Sequence, residues 1–260
     1  MKTNLIVILG PTASGKTSLA VKLASGFGGE IISADSRQVY RGMDIGTGKD
    51  LSEYCINGKM VRHHLIDIAE PSQEFNVFEF QKRFYSIFKD LTEKKKVPIL
   101  VGGTGLYLES VLSDYIFPEA LPDDVFRRET ASKPLEELQN ILLAMKPDLH
   151  NKTDLEDRER LMRKIEIEKA RRSVDGEPIQ KTDVKAGVFG VLWDRSVLRR
   201  RIAERLKKRL NNGMIEEVSR LHEEGLSWDR LDSFGLEYRY IARFLQNQMT
   251  KEQMAEKLQI

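Results

Sequence analysis

The sequence predicts an α/β fold in which a parallel sheet is flanked by helices and carries a small all-helical insertion. Three observations lead to this prediction. Short apolar runs alternate with segments of helical periodicity in the first half of the chain. A glycine-rich loop joins the first apolar run to the first helical segment, and the region from Pro118 to about Lys185 lacks strand signals. Such alternation favours a parallel sheet, which binds ligands at the carboxyl ends of its strands.

The first predicted strand is Leu5–Leu9, and a helix is predicted to start after Gly15. Leu19, Leu23 and Ala24 recur at helical spacing in that helix. We therefore expect the face formed by these three side chains to pack against the sheet.

The loop between this strand and this helix has the spacing G-x-x-x-x-G-K-S/T over Gly10–Thr17. Glycines let the backbone close around a phosphate, and the following helix adds its positive N-terminal end. Lys16 supplies a cation and the Thr17 hydroxyl a ligand for Mg²⁺. The predicted phosphate contacts are Gly10, Thr12, Ala13, Ser14, Gly15, Lys16 and Thr17. The loop predicts a P-loop NTPase-like sheet that binds a phosphate or diphosphate, without saying that this group belongs to ATP.

Further apolar runs predict the other strands of the sheet, namely Glu30–Ser33, Val97–Val101 and Gly187–Leu192. The segment Val77–Glu93 predicts a helix with apolar side chains on one face. These side chains are Phe80, Phe84, Ile87, Phe88 and Leu91. Their helical spacing indicates core packing rather than a cofactor site. The pattern is helical again from Arg195 to the end of the sequence.

Two domains are predicted from these elements. Residues 1–117 and 188–260 form a discontinuous catalytic core around the phosphate loop, and residues 118–187 form a helical insertion. The insertion reads as short polar helices broken at Pro122, Pro134, Pro147 and Gly176-Glu177-Pro178. Because Gly187–Leu192 returns to the sheet, the helical block is an insertion and not a sequential domain.

Composition excludes several classes of protein. Of 260 residues, 40% are hydrophobic and 32% charged, as in a globular protein rather than a disordered one. Cys55 is the only cysteine, which excludes a disulfide framework within the chain. No apolar stretch approaches the length of a membrane span, and the first strand starts too early to leave room for a secretory leader. We expect a cytoplasmic protein. With a net charge of only +2, any contact with nucleic acid must come from local clusters of charge.

Asp35 is the second candidate for chemistry, because it follows a strand that is expected to neighbour the phosphate loop. Its carboxylate would then face the same crevice, where it can bind Mg²⁺ or accept a proton from an attacking nucleophile. Capping of a turn by the aspartate side chain is the alternative interpretation.

The pair His63-His64 does not predict a metal site, since adjacent side chains on a strand point apart. We interpret this pair as structural.

Two basic segments are candidates for contact with nucleic acid. In Asp154–Arg172, predicted as a helix, Glu and Arg recur four residues apart, which also fits a solvated face with weak ion pairs. In Arg195–Arg209 the basic residues are opposed by Glu204 alone. An apolar stripe in this second segment is predicted to be buried, and it consists of Leu198, Ile202, Leu206 and Leu210. The local excess of positive charge favours contact with phosphate.

Several of these segments, taken together and in order, resemble the tRNA dimethylallyltransferases, also called tRNA isopentenyltransferases. The matching blocks are Gly10–Thr17, Ser33–Thr47, His63–Ile68, Val101–Tyr107 and Asp194–Arg205. They are scattered over most of the chain, and their combination is far more specific than the phosphate loop alone.

The resemblance implies that a five-carbon prenyl group passes from dimethylallyl diphosphate to N6 of the adenosine 3′ of the anticodon. In that family the aspartate matching Asp35 accepts a hydrogen bond from N6 and acts as general base. An aromatic amine is a poor nucleophile, so positioning it and removing its proton should matter. Cations and loop N–H groups would stabilise the charge that grows on diphosphate. The catalytic residues so implied are Asp35, Thr17 and Arg201.

The resemblance also implies binding residues and partners. Thr104 and Arg205 are expected to join the phosphate loop in holding diphosphate. The expected tRNA contacts are Asp35, Ser36, Arg37, Gln38, Thr104, Glu159, Arg160, Leu161, Met162 and Arg163. Mg²⁺, held by Thr17, is the implied cofactor, and the helical insertion is expected to clamp the anticodon stem. We expect a monomer that binds tRNA and dimethylallyl diphosphate and does not contact membranes.

Three other functions stay open at this point. A related enzyme would prenylate free AMP, ADP or ATP, and a P-loop nucleotide or small-molecule kinase would consume ATP without needing an isoprenoid. The third is an RNA-binding module that has lost catalysis, against which the presence of Lys16, Thr17 and Asp35 argues. Against ATP hydrolysis, the strand Val97–Val101 ends in Gly-Gly-Thr, where a P-loop ATPase usually has an acidic residue.

Overall fold

The computed structural model of this chain describes residues 3–113, 117–120, 122–147, 155–172, 179 and 181–259. The chain divides into two units. The first unit comprises Met1–Tyr115 and Lys181–Ile260, and the second comprises Ile116–Gln180. The first unit is therefore built from two stretches that are separated in sequence by the second.

The first unit contains a parallel sheet. In chain order its strands are β1 (Leu5–Leu9), β2 (Glu30–Ala34), β3 (Cys55–Ile56), β4 (Lys59–Met60), β5 (His63–His64), β6 (Pro98–Gly102) and β7 (Ala186–Gly190). Strands β3 and β4 form a short antiparallel pair, and the other five form the parallel sheet in the order β5-β2-β6-β1-β7. The predicted α/β fold is confirmed, and β7 returns to the sheet as expected. The structure places it at the edge of the sheet, beside β1.

Helices flank this sheet, and others lie in the second unit. In chain order they are α1 (Lys16–Phe27), α2 (Val77–Glu93), α3 (Gly105–Leu112), α4 (Asp124–Thr130), α5 (Leu135–Met145), α6 (Arg158–Arg172), α7 (Arg195–Asn211), α8 (Met214–Glu223), α9 (Trp228–Ser233), α10 (Leu236–Leu245) and α11 (Lys251–Leu258). Helices α4 to α6 belong to the second unit, and the others belong to the first.

Helix α2 begins and ends at the residues predicted from the sequence. Its N-terminus is capped by Asn76, whose side chain accepts a hydrogen bond of 3.0 Å from the backbone N–H of Glu79. The predicted apolar face is buried at Phe80, Phe84, Phe88 and Leu91, and half-buried at Ile87. This face packs toward β6 and α3, so the aromatic spacing is a core pattern.

Helix α1 differs from the prediction in the residues that it buries. Leu19 is 40% exposed and Leu23 only partly buried, whereas the fully buried positions are Ala20, Val21 and Ala24. These smaller side chains let the helix pack closely against the sheet at the point where it leaves the phosphate loop. The prediction that Leu19 is buried was therefore wrong. Helical spacing shows which side chains share a face, but it does not show which part of that face the sheet covers.

Helix α7 also buries less than its apolar stripe predicted. Only Leu206 is buried, and Leu198, Ile202 and Leu210 are half-buried. The helix lies at the surface of the first unit, and arginines on a neighbouring face contact two loops of that unit. Helix α7 therefore contributes little to the core, and its main contacts with the rest of the unit are those of its arginines.

The second unit has its own apolar core. The side chains in it are Phe126, Leu138, Leu142, Leu161, Met162 and Ile165. The buried carboxylate of Glu166 ties α4 to α6, since it accepts hydrogen bonds from the backbone N–H of Asp123 and from the side chains of Arg127 and Arg163. The predicted break at Gly176-Glu177-Pro178 and the predicted helix start at Asp154 lie outside the described residues.

None of the helices in the described ranges combines the length and the apolar character that crossing a membrane requires.

Candidate active site

A cavity of about 420 Å³ lies at the carboxyl ends of β1, β2 and β6, where a parallel sheet binds its ligands. Its walls unite segments that are far apart in the sequence. The lining residues predicted from the sequence are Thr12, Ala13, Ser14, Gly15, Lys16, Thr17, Asp35, Gln38, Arg201 and Arg205. Four other predicted site residues, Gly10, Ser36, Arg37 and Thr104, do not line this cavity.

The phosphate loop has the backbone shape that its glycines allow. Gly15 has φ +87° and Ala13 has φ +58°, both in the left-handed region. Helix α1 starts directly at Lys16, so the first N–H groups of the helix have no partner within it and lie at the cavity. Their partial positive charge suits an anion such as phosphate.

Charged side chains of both signs line the cavity. The cations are Lys16, Arg201, Arg205 and Lys208, and the carboxylates are Asp35, Asp50, Glu53 and Glu204. Burial lowers the pKa of Lys16, although the nearby Asp35 carboxylate acts in the opposite direction. Burial likewise raises the pKa of Glu53, against the effect of Arg205. Lys16 is half-buried, so water screens its charge less than that of an exposed lysine.

Asp35 caps a turn, which is the alternative that the sequence left open, and it also lines the cavity. Its Oδ1 accepts hydrogen bonds from the backbone N–H groups of Arg37 at 2.9 Å and Gln38 at 3.2 Å, which is an aspartate-capped turn. No hydrogen bond within the described residues uses its Oδ2. The turn therefore fixes the carboxylate through one oxygen and leaves the other available in the cavity.

Thr104, which lies between β6 and α3, supports the Asp35 turn. Its hydroxyl oxygen accepts a hydrogen bond of 3.1 Å from the backbone N–H of Ser36, and its own N–H donates to the carbonyl of Ala34. Arg37 points elsewhere, since its guanidinium donates to the carbonyl of Ser233. Thr104 and Ser36 thus lie behind Asp35, and Gln38 is the residue of this turn that reaches the cavity wall.

Arg201 and Arg205 of α7 reach the phosphate loop. The Nε of Arg201 donates to the carbonyl of Ala13 at 2.7 Å, and Nη1 of Arg205 lies 3.3 Å from the hydroxyl of Thr12. Nη2 of Arg205 also donates to the carbonyl of Gly48 at 2.9 Å, which anchors a second wall of the cavity. The basic pattern of α7 predicts contact with phosphate, and both arginines contact the loop whose spacing predicts phosphate binding.

That second wall is the Asp44–Gly48 loop, whose anchors were missed from the sequence. Three successive backbone N–H groups, those of Asp44, Ile45 and Gly46, donate to the buried carboxylate of Glu217 at 2.9, 2.7 and 3.0 Å. The hydroxyl of Tyr238 adds a fourth bond, to Oε1 of Glu217 at 2.7 Å. Desolvation and this carboxylate raise the pKa of Tyr238. The C-terminal helices therefore hold a loop that forms part of the cavity wall.

Two further cations hold the same loop. The buried ammonium of Lys49 donates to the carbonyl of Tyr40 at 2.8 Å and to the carboxylates of Asp44 and Asp67. Arg209 lies near the carbonyl of Gly46, and its pKa is lowered to about 10 by burial and by the nearby Arg205. Their sequence signal is weak, because a lone lysine or arginine in a charged segment usually faces solvent.

The histidine pair takes up structural contacts. Nε2 of His64 lies 2.8 Å from the carboxylate of Glu30, and the ring of His63 packs 4.5 Å from that of Tyr54. Among the described residues, no cluster of three or more His, Cys, Asp or Glu side chains is arranged to bind a metal ion.

The predicted tRNA contacts Glu159–Arg163 lie on α6 in the second unit. Leu161 and Met162 are buried in its core, so their side chains are not available to RNA. Arg163 donates to the carbonyl of Ala120 and to Glu166. Glu159 and Arg160 are exposed and form the accessible part of the segment.

Comparison with known proteins identifies close relatives. The IPP transferase family model matches residues 38–260. The tRNA dimethylallyltransferase 1 of Syntrophus aciditrophicus is 56% identical over 263 residues, which cover 100% of this chain and 86% of the relative. The tRNA dimethylallyltransferase 1 of Geotalea daltonii is 53% identical, over 99% of this chain and 82% of the relative. Among solved structures, the full-length tRNA isopentenylpyrophosphate transferase of Bacillus halodurans has a TM-score of 0.70 at 32% identity, covering 99% of this chain and 82% of that protein.

Proposed function

Because the chain belongs to the IPP transferase family, we propose that it transfers a dimethylallyl group from dimethylallyl diphosphate to N6 of the adenosine 3′ of the anticodon in tRNA. The observation that carries the proposal is a single cavity lined by both the phosphate loop and Asp35. One side of this cavity offers cations and helix N–H groups to a diphosphate, and the other offers a carboxylate to a nucleophile.

The diphosphate is bound by the phosphate loop, Lys16 and the two arginines of α7. Arg201 supports this role because only its Nε is used by the protein among the described residues. Its Nη2 lies 3.9 Å from the point where a Cβ on Gly15 would be, directly over the loop. As the carbon–oxygen bond to diphosphate breaks, these donors stabilise the negative charge that moves onto the leaving group.

Asp35 acts as the general base. The N6 lone pair forms the bond to the allylic carbon, the bond from that carbon to diphosphate oxygen breaks, and the N6 proton passes to Oδ2 of Asp35. The turn at Arg37 and Gln38 holds the carboxylate in one orientation, so little reorganisation is needed before proton transfer.

The donor set fits a Mg²⁺ ion that arrives with diphosphate. The Thr17 hydroxyl and the Glu53 carboxylate line the cavity, and Mg²⁺ typically takes one or two protein ligands, with phosphate oxygens and water completing its shell. When bound there, the ion would offset charge on the leaving diphosphate.

The acceptor is an anticodon loop, so the target adenosine must leave its stack to reach the cavity. We assign Gln38 to contact with the adenosine, with Ser36, Arg37 and Thr104 shaping the turn beneath it. We assign contact with the anticodon stem to helix α6 of the second unit, through Glu159, Arg160 and neighbouring basic residues. We propose that the enzyme acts as a monomer.

A transfer assay with labelled dimethylallyl diphosphate and Mg²⁺ tests this function. Unmodified tRNA with adenosine beside the anticodon competes in it against AMP and ATP. We expect label in tRNA alone. Label in a free nucleotide would instead identify an adenylate prenyltransferase, and ATP consumption without any isoprenoid transfer would identify a kinase.

Replacing Lys16 with alanine is expected to weaken binding of pyrophosphate by about 10- to 100-fold, the range for a lost hydrogen bond to a charged group. Titration calorimetry with Mg²⁺-pyrophosphate measures this directly. Lys22→Ala removes an exposed lysine from the same helix and should bind as the original protein does. Equal affinity of the Lys16 variant and the original protein would contradict the diphosphate site.

A further inference from the structure

The short connection between β7 and α7 contacts the outer side of the phosphate loop through Trp193. Its indole Nε1–H donates to the carbonyl of Ser14 at 2.7 Å. The same ring lies beneath the guanidinium of Arg201, whose Cζ is 4.9 Å from the ring centroid. Trp193 therefore touches both the loop and the arginine that reaches over it, although it does not itself line the cavity.

These contacts supply hydrogen-bond donors to carbonyl groups of the phosphate loop. When successive N–H groups of a loop turn inward toward an anion, its carbonyl groups turn outward and need donors of their own. Here the carbonyl of Pro11 accepts from Lys16 at 3.3 Å, that of Ala13 from Arg201, and that of Ser14 from Trp193. Ala13 also has a left-handed backbone, which costs a non-glycine residue free energy unless its surroundings hold it.

Trp193 also restricts the side chain of Arg201. An arginine has several rotatable bonds, and only those conformers that place Nη1 and Nη2 over the loop can serve a ligand there. One side of the guanidinium rests on the indole and its Nε is fixed to Ala13, and within the described residues no hydrogen bond uses Nη1 or Nη2. The stack and the hydrogen bond together select one orientation of the arginine.

We propose that Trp193 is a positioning residue for the diphosphate site, which orders the phosphate loop through Ser14 and orients Arg201 through its ring. The inference rests on the diphosphate site of the proposed function. It predicts that Trp193 contributes to affinity for the donor substrate through Arg201, and that it contributes nothing to affinity for the acceptor.

The test is a double-mutant cycle between Trp193 and Arg201, read out as the affinity for Mg²⁺-pyrophosphate. Trp193→Phe keeps the ring and removes the Nε1–H, and we expect a loss of about 2- to 10-fold. Trp193→Leu removes the ring as well, with an expected loss of about 5- to 50-fold. Arg201→Ala alone should lower this affinity by about 10- to 100-fold. Adding Trp193→Leu to Arg201→Ala should lower the affinity much less than Trp193→Leu does in the original protein.

Steady-state kinetics and fluorescence give readouts that general damage to the fold would not reproduce. The Trp193 variants should raise KM for dimethylallyl diphosphate and leave KM for tRNA unchanged. Trp193 and Trp228 are the only two tryptophans, and Trp228 stacks on His222 instead of the loop. Trp228→Phe should therefore retain affinity and serve as the matched control, and the remaining emission of Trp193 should change on titration with pyrophosphate.

Four results would overturn the inference, and they separate it from the proposed function. Unchanged affinity in both Trp193 variants, with loss in Arg201→Ala, leaves the diphosphate site intact and removes Trp193 from it. If Trp193→Leu lowers the affinity for Mg²⁺-pyrophosphate by the same factor with Arg201 present and with Arg201→Ala, the two residues are not coupled. Emission of Trp193 that stays constant as pyrophosphate binds places it outside the site. Unchanged affinity in both Arg201→Ala and Lys16→Ala would show that the proposed diphosphate site is wrong, and the inference about Trp193 would fail with it.

Discussion

Replacing Asp35 with asparagine is expected to lower the turnover of prenyl transfer by about two to four orders of magnitude, the usual contribution of a general base. The amide keeps an oxygen that can accept from the N–H groups of Arg37 and Gln38, so the turn should survive. The amide nitrogen that replaces Oδ2 cannot accept the N6 proton. Single-turnover transfer of labelled prenyl to an anticodon stem-loop RNA measures the chemical step without product release.

Affinity for pyrophosphate separates this explanation from a general loss of the site. The Asp35→Asn protein should bind Mg²⁺-pyrophosphate nearly as well as the original, because its change lies on the acceptor side of the cavity. Asp50→Asn removes the same charge from the same cavity at a residue whose carboxylate caps a different turn, and it should reduce turnover far less. Near-normal turnover in Asp35→Asn, or an equal loss in Asp50→Asn, would show that proton acceptance by Asp35 is not what limits the reaction.

The parts of the site that the sequence predicts are those specified by local pattern. The phosphate loop is one, since its spacing and its setting between strand and helix lie within a dozen or so neighbouring residues. Asp35 is another, because the end of β2 next to β6 must face the same crevice as the loop. Helix α2 is a third, because its aromatic side chains recur at helical spacing over Val77–Glu93, which matches the observed helix.

The parts that were missed depend on contacts between distant residues. Glu217 reads as one of two adjacent glutamates at the start of a helix, and nothing nearby indicates that its carboxylate accepts N–H groups 171 to 173 residues earlier. Trp193 contacts a carbonyl 179 residues away, and its own surroundings suggest only a surface residue beside a strand. A backbone carbonyl or N–H has no sequence signature, so a side chain that binds one is invisible until the fold is known.

Replacing Glu217 is expected to have the largest effect on stability of any change considered. Its buried carboxylate accepts four hydrogen bonds, and in Glu217→Gln one oxygen becomes an NH₂ group facing donors that need an acceptor. Hydrogen bonds to a charged group are worth about 1.5–3 kcal/mol each, and a donor left buried without a partner costs a similar amount. We expect the free energy of unfolding to fall by about 2–3 kcal/mol in this variant, measured as a lower midpoint in urea at unchanged slope.

Two matched variants show whether the carboxylate or the helix is responsible. Tyr238→Phe removes only one of the four bonds and should cost about 1.5 kcal/mol, the lower end of that range. Glu216→Gln makes the same chemical change one residue earlier on α8, at an exposed position, and should stay within about 0.5 kcal/mol of the original protein. Similar losses for Glu216→Gln and Glu217→Gln would mean that charge at the start of α8 matters, and not the bonds to the loop.

The same variant should also impair catalysis, because the loop held by Glu217 in turn holds the arginines of α7. Gly46 and Gly48 present their carbonyls to Arg209 and Arg205, and the guanidinium groups of both arginines fill the space that a side chain on Gly48 would need. If Asp44–Gly48 shifts, Arg205 loses the acceptor that keeps it beside Thr12 at the phosphate loop. Well below its unfolding midpoint, Glu217→Gln should therefore show a raised KM for dimethylallyl diphosphate with KM for tRNA little changed. A folded Glu217→Gln enzyme with the original donor KM would show that the loop stabilises the fold without positioning Arg205.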